Sequence, residues 1–418
     1  MKKSSISRSI IAVVFMIYII GLLIIAFMNN QTDRTPIEYQ LIYILSLLFA
    51  VFCYAILKKK LNNLNCKKSV EYSYRYIYLV MLLLITRFIA VLIYKENANY
   101  DLINPSFGKG LGSYVIYLLG RVTLEPLYAT IIINTILTFV CIIIIKRLVF
   151  NITNNEMLSA IAAILFIFIP QAIQNVTNYT PLLFNTTFIL LGVYLILKII
   201  DEVKQPKLKT KKYIYLTVLV GLIIIADVIL GGRFEGWIVL AIGTLLISYN
   251  IDYMTVKVRR EWIEKTTNIK VRRKLYKLEG LMISKLIIVT TIIILMSVIA
   301  LGIMYLLKQD LFGIYNISLR EIFNNAKNIF GDFKGYYISL IIITIILDII
   351  GVVLRRKRDT KTSLLKLVAI IIGIITVLIN KEYVACILDT MLIITLVLNA
   401  GNIYYNRDEK IKLLKETN

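Results

Sequence analysis

Histidine is absent from the 418 residues, and cysteine (4) and proline (6) are scarce. The first absence excludes histidine-based catalytic triads, zinc sites of the histidine type and imidazole proton relays. Cys53, Cys66, Cys141 and Cys386 show no CxxC spacing and fall in or beside apolar segments, so they form neither a disulfide frame nor a metal cluster. Charge is also sparse, at 17% of residues, and acidic charge most of all: 25 Asp and Glu stand against 48 Lys and Arg, a formal +23. The remaining chemistry belongs to carboxylates, Lys and Arg, tyrosines, amides and hydroxyls.

Apolar residues make up 59% of the chain, and the mean hydropathy is +0.78. Soluble domains hold about 45–50% apolar residues, so the excess needs a place outside water. High hydropathy with high positive charge excludes an ordinary cytosolic enzyme and a disordered basic tail. The pattern also argues against a nucleic-acid binder, because the basic residues sit in short runs between long apolar stretches. The pattern is that of a multi-pass membrane protein.

A hydrocarbon layer ~30 Å thick needs ~20 apolar residues per helix. On that rule about twelve spans are expected, near 9–28, 38–57, 76–94, 127–145, 157–174, 182–200, 213–230, 235–250, 284–307, 337–354, 366–380 and 384–403. The first is too long and too Ile-rich for a signal peptide, and has no small-residue cleavage site, so it is expected to be retained. Every second connection is basic: KKK at 58–60, Lys146-Arg147, the run from Lys198 to Lys212, the stretch 250–285, and RRKR at 355–358. Together with the two termini these connections hold about three quarters of the Lys and Arg, which places both termini in the cytoplasm. The same runs suit anionic lipid head groups.

The fold class expected is therefore an all-α polytopic membrane protein, a single membrane domain over 1–418. Its longest connections are a basic cytoplasmic loop at 251–283 and an external loop at 308–336. No internal repeat relates the two halves.

Polar residues gather near the external boundary in four groups. Glu96, Tyr100 and Asp101 follow the third span; Lys109 and the stretch from Arg121 to Glu125 precede the fourth. The amide-rich QAIQNVTNYTP (171–181) joins the fifth and sixth, and Asp227 with GGRFEGW (231–237) lies between the seventh and eighth. Asp389, in the outer part of the last span, is a further candidate. Ionisable groups at a membrane edge are costly and tend to be paired or functional. A carboxylate that takes a proton from an acceptor hydroxyl, beside cations that hold a leaving phosphate, suits glycosyl transfer from a lipid-phosphate donor. Arginine grips phosphate bidentately. Asp101, Arg121 and Arg233 stand out by position and company, while Tyr (27 in all) collects at span ends as an aromatic belt does. Asp348, near RRKR, reads as half of a local ion pair.

Two stretches resemble a known family. The hairpin LFIFIPQAIQNVTNYTPLLFNTTFILLGVYLIL, with the span that precedes it, and GGRFEGWIVLAIGTLLI are similar to bacterial membrane glycosyltransferases related to protein mannosyltransferases, which share the GT-C fold. The resemblance covers 76–250 as a GT-C-like transferase core. It implies an integral-membrane transferase that uses a polyprenyl-phosphate sugar on the external face and delivers it to a glycan, lipid or protein. It also implies an acidic base in the first large external loop soon after an Arg-bearing span. Arg87 lies in such a span and Asp101 follows it, so Asp101 is the implied base. Arg233 matches the family's span-opening arginine; Arg121, Lys109, Glu235 and Tyr100 complete the implied substrate site. The chain departs from the pattern at three places. The first loop is contracted, the Glu expected after Thr180 is Pro181, and the Pro expected after Arg233 is Phe234.

A divalent metal between Asp101 and Glu96 is conceivable, although two carboxylates do not define a site. Two other classes remain open: a carrier or flippase for a lipid-linked or anionic cargo, and a non-catalytic partner in envelope-polymer assembly. The first of these calls for charge at the bilayer midplane and interrupted spans.

Overall fold

The computed structural model describes residues 68–94, 126–174, 176, 182–203, 212–229, 269–306, 334–353, 360–379, 388–401 and 403. Within them every regular element is an α-helix. The first is α1 (Lys68–Tyr94), followed by α2 (Pro126–Thr153), α3 (Glu156–Ile167), the short α4 (Pro170–Gln174), α5 (Leu182–Val203) and α6 (Lys212–Ile229). Then come α7 (Ile269–Leu306), α8 (Lys334–Val353), α9 (Thr360–Ile379) and α10 (Leu388–Gly401). Three stretches, Leu127–Thr153, Lys212–Ile229 and Ser284–Ile303, are long and apolar enough to cross a membrane. The expected spans at 9–28, 38–57 and 235–250 lie outside the described residues.

The apolar faces point both ways. On α1, Leu79, Leu83, Thr86, Arg87 and Ala90 are buried, while Met81, Leu84, Ile85, Phe88, Ile89 and Leu92 are exposed along the opposite stripe. α8 repeats this, with Tyr336, Leu340, Ile341, Thr344 and Asp348 inward and Ile342, Ile343, Ile346, Ile349 and Ile350 outward. Thr86, Arg87, Thr344 and Asp348 face the bundle interior, and the described outer faces are apolar. In water such faces would be a large exposed apolar patch; against lipid chains they are the expected surface. Hydroxyls inside the helices turn back on their own backbone. Thr138, Thr153, Thr217, Thr290 and Thr344 each donate to the carbonyl four residues earlier, at 2.7–2.8 Å.

Two asparagines make the turn from α2 to α3. Asn154 adopts φ 50, the left-handed region that Asn tolerates, and its amide closes on the Phe150 carbonyl. Asn155 then caps α3: its Oδ1 accepts from the amides of Met157 and Leu158 at 2.8 and 3.3 Å. Glu156, in the first turn, complements the helix dipole. α3 is buried nearly all round, with Ala160, Ala162 and Ala163 allowing close approach. Pro170, which has no amide hydrogen, starts α4 and ends the α3 ladder before it.

Helix directions follow from paired contacts. Arg87 bonds Thr138, and further along α1 Ala90 and Val91 pack with Ile131, so α1 and α2 are antiparallel. α5 and α6 are antiparallel too, their facing ends tied by the Glu202–Lys212 ion pair at 2.5 Å. α6 and α7 run in parallel, because Lys285 Nζ lies over the Tyr213 ring at 5.6 Å and Gly221 faces Met296 further along. α10 brings Gly401 onto Thr153 and Leu158 at the α2–α3 turn.

Several boundaries differ from those expected. α7 begins at Ile269, inside the stretch 251–283 expected as a loop, because residues 269–283 continue without Pro or Gly-rich interruption into the apolar span. α2 continues past residue 145 and buries Lys146, leaving Arg147 exposed. The span expected over 157–174 is split at Phe168-Ile169.

The close passage of α6 and α7 yields a test. A Cβ built on Gly221 would lie 2.4 Å from Met296 Cγ and 2.8 Å from its Cβ, whereas Gly302 has nothing within 4 Å. Gly221→Ala should therefore cost about 1–3 kcal/mol through overpacking, read as a lowered unfolding midpoint in detergent. Gly302→Ala should leave the midpoint unchanged or raise it, through helix propensity.

Candidate functional site

Arg87 is 3% exposed on an otherwise apolar helix, so its guanidinium needs acceptors from neighbouring elements. Nη1 donates to the Ala172 carbonyl at 2.6 Å and Nη2 to Thr138 Oγ1 at 3.2 Å. Ala172 has an accepting carbonyl to offer because α4 tightens at its end. The Val176 amide bonds Ile173 at 3.2 Å, three residues back, rather than Ala172. The Val176 carbonyl is taken in turn by Asn134 Nδ2 at 3.0 Å. Two side chains, Arg87 from α1 and Asn134 from α2, thus replace the backbone donors that a continuous helix would have supplied. One turn further along α2, Cys141 Sγ meets Thr187 Oγ1 of α5 at 3.1 Å. These contacts knit α1, α2, α4 and α5 at one level.

Asp227 comes to the same level by helix register. Thr187 and Asp227 are equally far along α5 and α6 from the Glu202–Lys212 bridge, about 22 Å at 1.5 Å per residue. Asp389 lies about 18 Å along α10 from Gly401, as Cys141 does along α2 from Thr153. A polar layer therefore crosses the bundle at about this depth. Asp227 is 1% exposed, and neither carboxylate oxygen has a hydrogen-bond partner among the described residues.

Other buried charges lie elsewhere in the bundle. Asp348 of α8 and Lys366 of α9 form an ion pair of 2.5 Å, 6% and 4% exposed. The partner that the sequence suggested for Asp348 was the RRKR run; the structure supplies Lys366 from the next helix. Lys146 and Lys285 are also buried, and Lys198 covers the Tyr194 ring at 4.6 Å. Asp348 and Lys366 sit at nearly equal distances from the 354–359 connection, a spacing across a hairpin that the sequence does display. Asn134 and Thr138 carry no such signal, since their partners are backbone oxygens or an arginine on a distant helix.

Asp101, Tyr100, Lys109, Arg121, Arg233 and Glu235 lie outside the described residues, as does Glu96. The described helices place the ends that lead to them. The described parts of α1, α4 and α6 run to Tyr94, Gln174 and Ile229, and those of α2 and α5 start at Pro126 and Leu182; helix directions put these on the side of the polar layer away from the Glu202–Lys212 bridge. Among the described residues no group of three or more Cys, Asp or Glu comes together as a metal site. No protein-family model, curated protein or solved structure matches the chain.

Two substitutions test the buried charges. Arg87→Met should lower stability by roughly 1.5–3 kcal/mol for each charge-assisted bond lost, seen as a lower unfolding midpoint and faster proteolysis near 170–176. Lys366→Met alone should cost about 3–5 kcal/mol by stranding Asp348, while Lys366→Met with Asp348→Leu should recover most of the loss. A double-mutant cycle in detergent measures both.

Proposed function

We propose that the chain is a multi-pass cell-membrane glycosyltransferase of GT-C type with about twelve spans. It moves a sugar from a polyprenyl-phosphate donor to an external glycan, lipid or protein. Asp101 is the base; Arg121 and Arg233, with Lys109, hold the donor phosphate; Tyr100 and Glu235 line the substrate site. The observation that carries this reading is the convergence at one end of the bundle. Helix directions carry the ends that lead into 95–125, 175–181 and 230–237, the segments holding the proposed residues, toward that end. Arg87 adds support, since it anchors the last turns of α1, from which Asp101 follows shortly, to the 170–176 hairpin.

The chemistry needs little beyond those groups. Asp101 removes the acceptor hydroxyl proton as that oxygen attacks the anomeric carbon. The bond from that carbon to the phosphate oxygen breaks, and its electron pair leaves with the polyprenyl phosphate. Arginines at the phosphate stabilise the charge that grows on it. Histidine is not required.

A second reading, a carrier for a lipid-linked or anionic cargo, draws on a different observation. Arg87, Asp227 and Asp389 lie buried at one depth within the helices, and the α3–α4 path is interrupted at Pro170.

Transfer itself separates the two. Protein in lipid, incubated with a panel of polyprenyl-phosphate sugars, should release carrier phosphate, and Asp101→Asn should reduce that turnover by about 10²–10⁴-fold. Full turnover in Asp101→Asn would remove it as the base. No turnover with any donor from a well-folded sample would transfer the case to the carrier.

A further inference from the structure

We propose that Asp227 is the centre of a site for a monovalent cation, a proton or a sodium ion, inside the helix bundle. Its place in the fold carries this, whichever activity the protein has. The carboxylate is 1% exposed, and both oxygens lack a hydrogen-bond partner among the described residues. An isolated carboxylate in apolar surroundings costs far more than a surface one, so a positive charge must reach it or a proton must sit on it.

Among the described residues, the helices packed most extensively against α6, namely α5 and α7, do not bring such a charge. On α5 the charged residues are Lys198, Asp201 and Glu202, all near its far end, where Glu202 is engaged by Lys212. On α7 the charged residues stop at Lys285, which lies over Tyr213 at the start of α6. From there to Leu306 the only ionisable side chain on α7 is Tyr305, which is exposed. At the depth of Asp227 the polar residues of α5 are Thr186 and Thr187. Hydroxyl oxygens at that depth are hard ligands of the kind that alkali cations take.

The test reads cation occupancy and not transfer, so its failure and the failure of the proposed function are separate events. Full-length protein in lipid nanodiscs is treated with a hydrophobic carbodiimide in mildly acid choline buffer. The carboxyl proton passes to a carbodiimide nitrogen and the carboxyl oxygen bonds its carbon. Rearrangement leaves a stable N-acylurea that peptide mass spectrometry locates. Asp227 should carry the adduct, and Asp348, held by Lys366, should not. Sodium at ten times its dissociation constant should slow labelling about tenfold if it is the occupant. If the proton is the occupant, labelling should fall in alkaline buffer and ignore sodium. Asp227→Asn, nearly identical in shape, should keep the wild-type elution profile and lose the adduct. An unlabelled Asp227 in acid choline buffer, or labelling indifferent to both sodium and alkali, overturns the site.

Discussion

A guanidinium buried among aliphatic side chains constrains everything around it. Arg87 cannot be satisfied by a regular helix, because the carbonyls of a regular helix are already taken by its own amides. It needs a place where a ladder is broken, and Pro170 followed by the tightened end of α4 provides one at Ala172. The break in turn is stable inside the bundle only because Arg87 and Asn134 fill the positions of the missing donors. Each defect is the other's remedy. The pairing fixes α1, α2 and the α4 hairpin in one relative position, and the hydroxyl of Thr138 completes it.

Several other charged side chains find partners of a different kind. Asp348 and Lys366 answer each other across the α8–α9 connection, and Glu202 and Lys212 do so across the α5–α6 connection. Lys198 and Lys285 lie over tyrosine rings, whose faces attract cations. Hydroxyls close on carbonyls within their own helix. Asp227 breaks the pattern. Both of its oxygens lack a hydrogen-bond partner among the described residues, whereas Asp348 is held by Lys366. That contrast, more than burial itself, sets it apart from structural charge.

The sequence made the helices legible because long aliphatic runs leave few alternatives: α2, α6 and the apolar part of α7 fall where hydropathy expects spans. It was less able to place their ends. Lys146 looked like the first residue of a cytoplasmic connection, yet α2 continues through it, since a long alkyl stem can be buried while the helix goes on. Residues 269–283 looked like a basic loop because charge hides helix propensity from a hydropathy scale, although Lys, Arg and Leu are good helix formers. Arg87 was visible as a charge inside a span, and its partners were not, because a backbone carbonyl freed by a local tightening leaves no trace in residue type. Of the site expected from sequence, Asp101, Arg121 and Arg233 lie outside the described residues. What the structure contributes is the common end of the bundle at which their segments begin.

Lipid explains why polar ties carry so much of this arrangement. In water, an aliphatic face finds its partner by excluding solvent, and the stripe on each helix specifies which way it turns. Here α1 and α8 present aliphatic residues both inward and outward, so apolar contact alone does not distinguish the two faces: lipid tails are as apolar as leucine. Rotation and register must then come from features that lipid cannot replace. One is close approach, as at Gly221 against Met296, where any side chain would push α6 from α7. The other is a polar bond whose alternative is an unsatisfied group in hydrocarbon, as at Arg87 and at Asp348 with Lys366. A few such points, spaced along each helix, suffice to fix a bundle whose remaining surface is interchangeable. The consequence is that substitutions among its many isoleucines and leucines should matter less than their number suggests, and changes at the rare polar and glycine positions far more.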